Sequence, residues 1–256
     1  MTGAAGYMAL VLAEAVAGSL AFLWCVPLWN EVKRGFFTLT SSILLVLAVA
    51  AWWSTKVALV PGDAAGLWSV RLALATAVVV GVTFLLMLAK RQTVARVVGL
   101  LSVPGSIAVL VAMASTGRQG YALSLFQLLA GAAFLGTILD GLLLGHWYLV
   151  DRRLSNRPIA ALATWLFAGV AAALVSAALG GARGSAVDQS LSPLLAFPNL
   201  TVYLAVGLVL VCGLMASFIR VLVKENSIQA ATGMFYLAVI MALAAEFAAK
   251  VYFFPS

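Results

Sequence analysis

Eight times along this chain, about 20 residues pass with almost no charge, as in "GYMALVLAEAVAGSLAFLWC". A run of that length, coiled as a helix, crosses the hydrocarbon core of a bilayer. Hydrophobic residues make up 64 % of the 256 residues and charged residues 9 %, so there is too little polar surface for a water-soluble domain of this size. Strands of a membrane β-barrel alternate apolar and polar side chains, and no such alternation occurs here. The pattern predicts an all-α, polytopic bundle of about eight transmembrane helices, forming a single integral-membrane domain over residues 1–256.

The expected spans are 7–28, 36–55, 67–89, 95–115, 121–149, 159–180, 198–222 and 229–252, with breaks at Pro61-Gly62, Gly117 and Gly180-Gly181. The fifth run is long enough to tilt or to extend past the membrane face. Pro27 and Pro104-Gly105 are candidate kinks. The start "MTGAAGYMAL" has no Lys or Arg before its apolar run, which predicts a retained first helix rather than a signal peptide. Lys33, Arg34, Lys90, Arg91, Arg96, Arg152, Arg153, Arg157, Arg220 and Lys224 all fall in or beside the odd-numbered loops. By the positive-inside rule those loops face the cytoplasm, and both termini face outward. The expected setting is the cell inner (plasma) membrane. The net charge of +7 then reports topology, and no nucleic-acid partner is expected. The longest loop, "GARGSAVDQSLSPLLAF", is too short for a soluble domain, so chemistry must lie within the helices or on a docked partner. Two four-helix halves are conceivable, although no repeat is visible in the sequence.

Ionisable side chains inside a bilayer are costly and mark functional candidates. Glu14 in the first helix and Glu246 in the last are expected about two turns below the outer surface. Lys250 follows Glu246 at the i+4 spacing. If the two helices are neighbours, the carboxylates bracket a polar cavity that opens outward, with Lys250 at its mouth and a proton-exchanging role. The competing account is a Glu246–Lys250 pair snorkelling at the interface. Asp140 and His146, the one histidine, lie toward the cytoplasmic end of the fifth helix. Six residues turn a regular helix by about 240°, so these two do not share a face of a regular helix; Gly136, Gly141 and Gly145 allow either close helix approach or a local break that would bring them together. His146 stands beside Trp147 and Tyr148, which suit an interfacial belt; a quinone contact or a proton path is the functional alternative. Haem ligation by His146 would need a Met or a ligand from another chain as the second axial group, because no second histidine exists. Cys25 and Cys212 lie in apolar runs without CxxC spacing and are expected to be buried small hydrophobes, and no metal site is expected.

The closing segment "AEFAAKVYFF" resembles the end of the last helix in the dimethyl-sulfoxide-reductase anchor family, with Glu246 and Lys250 in matching places. Eight helices, outward termini and the absence of a soluble domain are also similar to such polysulfide-reductase-like membrane anchors of molybdopterin oxidoreductases. "GHWYLVDRRL" departs from that family's pattern. The resemblance implies a quinone-handling subunit of a respiratory or photosynthetic-type redox complex. Such a subunit has no metal of its own and exchanges electrons with membrane or peripheral partners that carry iron–sulfur or haem groups. Three functions stay open on sequence: this redox anchor, a structural subunit without chemistry, and a small-solute or ion transporter. The transporter would place polar groups at the midplane, where Gln127 and Thr83 are the main candidates.

Overall fold

The computed structural model describes residues 1, 3–25, 31–151, 153–181, 200–251 and 253–254. Pro27, Arg152, Arg183 and nearly all of the 181–197 loop lie outside the described residues. Eight helices occur among the described residues: α1 (Gly3–Cys25), α2 (Arg34–Val57), α3 (Ala64–Leu88), α4 (Gln92–Ala114), α5 (Tyr121–Val150), α6 (Arg157–Gly181), α7 (Leu200–Lys224) and α8 (Ile228–Lys250). All eight are long and apolar enough to cross a bilayer. The chain is an all-α, multi-pass integral membrane protein.

Local chemistry sets the ends. Asp63 caps α3 by accepting from the Gly66 N–H at 2.8 Å. Partial burial pushes its carboxyl up, but hydrogen bonds from the Met1 amino group and from Gly66 outweigh this and hold it below the usual range. α5 runs unbroken for 30 residues, about 45 Å, well beyond the thickness of a bilayer core. Pro104 sits inside a continuous α4. The two expected midplane groups are spent locally: Thr83 donates to the Val79 carbonyl, and the Gln127 amide donates to Gln119.

The helices pack as two bundles of four. In the first, α1 packs on α2, α2 on α3 and α3 on α4, and α4 returns to α1. The second repeats this order with α5, α6, α7 and α8. The bundles meet chiefly through α1 and α5, with lesser contacts of α4 on α5 and α8 on α1. α1 and α5 are the two most buried helices, and the outer ones carry exposed apolar side chains such as Leu85, Val78, Leu214 and Ile240. A lipid-facing surface is built this way.

Three expectations need correction. α1 begins at Gly3, which puts Glu14 about 16 Å along it, three turns from the helix start rather than two. Lys250 is not at a mouth; it is 1 % exposed. The chain folds back over it: the Tyr7 hydroxyl donates to the Val251 carbonyl, and the buried Phe254 ring lies on Gly6. Cys25, the last residue of α1, is exposed, whereas Cys212 is buried as expected.

Candidate functional site

The junction of the bundles is built on missing side chains. α1 and α5 run in the same direction, and Gly18 lies against Ala132 and Gly136. A Cβ at Gly18 would stand 1.8 Å from the Ala132 carbonyl oxygen, and one at Gly136 would stand 2.3 Å from the Gly18 carbonyl carbon. Only glycine permits this approach, the usual device for close helix pairs in lipid. One turn from Gly18, the Glu14 carboxyl rests on Gly131, where a Cβ would come within 2.6 Å of it.

Lys250 reaches this point from α8. Its Nζ lies 2.8 Å from Glu14 Oε1 and 3.1 Å from Glu246 Oε2. It also donates to the Gln127 carbonyl of α5 at 3.3 Å. The Glu14 contact is an ion pair without hydrogen-bond alignment, and both of its oxygens lack a hydrogen-bond donor among the described residues. Glu14, Glu246 and Lys250 are 0 %, 4 % and 1 % exposed. Three ionisable groups from α1 and α8, closed by α5, therefore share one water-poor site. One ammonium balances one carboxylate. The second carboxyl must either hold a proton or leave a net negative charge in the membrane interior.

The matching place in the other bundle is apolar. Gly18 opposite Gly136 aligns Glu14 with Ala132. α4 and α8 are each 23 residues long, so Glu246 and Lys250 fall at the positions of Leu110 and Ala114. Leu110, Ala114 and Ala132 are all buried.

The structure brings Glu14, Glu246 and Lys250 together; it does not assemble Asp140, His146, Trp147 and Tyr148 into one site. Asp140 is fully buried and faces Ser19 of α1. His146 is exposed, on a different face of an unbroken α5. Trp147 packs on Gly35 and Phe36 of α2, and Tyr148 donates to the Ser155 carbonyl. Gly141 and Gly145 admit Phe235 and Thr232 of α8, which is close helix approach without a break. Gly131 and Ser19 are not singled out by the sequence, and Ser19 carries no signal in it; Gly18 follows Glu14 by one turn on roughly the same helix face, a spacing visible in the sequence.

Glu14 is packed directly on Gly131 and the three side chains are buried, so the cluster is closed around itself in this structure. Among the described residues, no three His, Cys, Asp or Glu side chains group closely enough to hold a metal ion. No protein-family model, curated protein or solved structure matches the chain.

Proposed function

We propose that this chain is a proton-linked membrane carrier whose exchange site is the Glu14–Lys250–Glu246 cluster. One observation carries the reading. The two bundles repeat the same packing order, yet only one of the two matching places at their junction holds ionisable groups. Leu110, Ala114 and Ala132 fill the other with apolar side chains, so the architecture closes without charge there. Buried ion pairs rarely improve on well-packed apolar residues of similar volume, and charges inside the membrane mark ion and proton paths. Parallel repeats with a site near the midplane at the repeat interface are a transporter arrangement, in which one repeat moves against the other.

A proton taken up by Glu14 cancels its attraction to Lys250, and that pair ties α1 of the first bundle to α8 of the second. Protonation thus loosens the junction, and release of the proton tightens it again.

The test is infrared difference spectroscopy of the purified chain in lipid vesicles, stepped in pH over the range in which it stays folded. A carbonyl stretch from a protonated carboxyl should change with pH, shift in heavy water, and vanish in Glu14→Gln or Glu246→Gln. A spectrum with no carboxyl change sensitive to either variant would mean a fixed ion pair, and the reading would fail.

A further inference from the structure

Among the described residues, Asp140 is the one fully buried carboxylate that the cluster does not use, and its surroundings are unlike those of Glu14. It is 0 % exposed, and both carboxyl oxygens lack a hydrogen-bond partner among the described residues. Ser19 of α1 is the polar side chain that faces it; its hydroxyl is also fully buried and unpartnered. From α8, the Phe235 ring lies at the neighbouring Gly141. None of the ion pairs among the described residues reaches Asp140.

Its place along the junction matters as much as its isolation. Asp140 follows Gly131, the Glu14 contact, by nine residues of α5, about 13 Å of rise toward the end that carries the basic loops. Between the two levels lies the Gly18–Gly136 contact, where backbone meets backbone and no water fits. A buried acid thus stands on each side of one dry constriction, both on the α1–α5 junction.

We propose that Asp140 is a second proton site, serving the basic end, and that the Gly18–Gly136 contact is the seal between it and the Glu14 cluster. This rests on the reading of that cluster as a proton-exchange site. When α1 and α5 separate, water enters the constriction. The O–H bond of the Glu14 carboxyl breaks, the proton passes through that water, and a new O–H bond forms on the Asp140 carboxylate. Glu14 returns to a carboxylate and its pair with Lys250 re-forms. The Ser19 hydroxyl can donate to ionised Asp140 and accept from the protonated form, so it can hold either state in place.

The experiment uses the full chain in lipid vesicles with two readouts: the infrared carboxyl bands, and proton passage driven by an imposed membrane potential and read by a trapped pH dye. Asp140→Asn keeps the shape and the Ser19 contact. It should remove one carboxyl band, leave the band lost in Glu14→Gln, and cut proton passage by about 100-fold or more, the usual scale for a proton-transfer group. Ser19→Ala should shift the Asp140 band without removing it, which separates a proton site from a group that only packs. If no heavy-water-sensitive band is lost in Asp140→Asn, or if the band is lost and passage stays at the wild-type rate, the inference is overturned. Loss of the Asp140 band with none lost in Glu14→Gln or Glu246→Gln would sink the cluster reading while leaving Asp140 a proton site.

Discussion

If the cluster exists for proton exchange rather than for holding the bundles together, removing one charge and removing all three should act on stability in opposite ways. Lys250→Met deletes the one ammonium that faces both carboxylates and the Gln127 carbonyl. Glu14 and Glu246 are then left buried with no cation, at 0 % and 4 % exposure. Breaking a buried pair in this way costs about 3–5 kcal/mol, because the remaining charge is left uncompensated. The triple variant Glu14→Met, Glu246→Leu, Lys250→Met removes every charge at nearly constant volume. It also makes the site resemble the apolar corner of Leu110, Ala114 and Ala132. Such replacements are neutral or stabilising, by up to about 4 kcal/mol. Unfolding by a denaturing detergent in mixed micelles, followed by far-ultraviolet circular dichroism, measures both variants against the parent chain. The single variant should unfold far earlier than the parent, and the triple should match or exceed the parent while losing the pH-dependent carboxyl bands of the cluster. A triple variant no more stable than Lys250→Met would show that the charges hold the junction, and the argument from the apolar twin would collapse.

Two further outcomes follow from the geometry. Gly18→Ala places a Cβ where the Ala132 carbonyl oxygen stands 1.8 Å away, so α1 and α5 must part, at the roughly 1–3 kcal/mol cost of overpacking; an unchanged thermal midpoint in detergent would refute the close junction. At the basic end, the Lys33 ammonium sits 2.8 Å from Asp151 and holds that carboxyl below its usual range. A depressed carboxyl adds stability that is fully present above its unfolded value of about 3.9 and is lost as pH falls through the lower folded value. The thermal midpoint of the parent chain should therefore drop more on acidification below about pH 4 than that of Asp151→Asn, and equal slopes would show the pair contributes nothing.

The spans were legible because a bilayer imposes one rule on every helix, a length of apolar residues, and each observed helix overlaps its expected run. Depth was less legible. Counting back from the chain end put Lys250 near the surface, but depth depends on what the following residues do, and here Phe253 and Phe254 fold inward over it. Pairing was harder still. A lipid-facing helix is apolar all round, so its sequence carries little sign of which stripe meets protein. Glycines are the exception. Gly141 and Gly145 were readable as points of close approach, yet nothing in the sequence said that Phe235 and Thr232 would fill them. The meeting of Glu14 with Lys250 depended on which helices are neighbours, and the sequence raised that only as a condition. The repeat stayed hidden for the same reason: the two halves share an order of packing, not a pattern of residues.

The close junction and the charged cluster bear on each other physically. An ion pair at low dielectric attracts over a longer range than apolar contact, so the Glu14–Lys250 pair pulls α8 toward α1 even when the backbones are slightly apart. Dispersion at the Gly18–Gly136 contact is short-ranged, and a gap of 0.5–1 Å already forfeits about a quarter to a half of it. Neutralising Glu14 therefore removes the longer-range force and leaves only contacts that fail quickly once the helices begin to part. Glu246 keeps Lys250 satisfied in that state, since it sits one turn away on the same helix and moves with it. The second carboxylate thus has a distinct role: it shelters the ammonium while the pair across the bundles is broken. Without it, protonating Glu14 would leave the ammonium in the membrane with no counter-charge and only the Gln127 carbonyl as partner, and the loosened state would cost too much to visit.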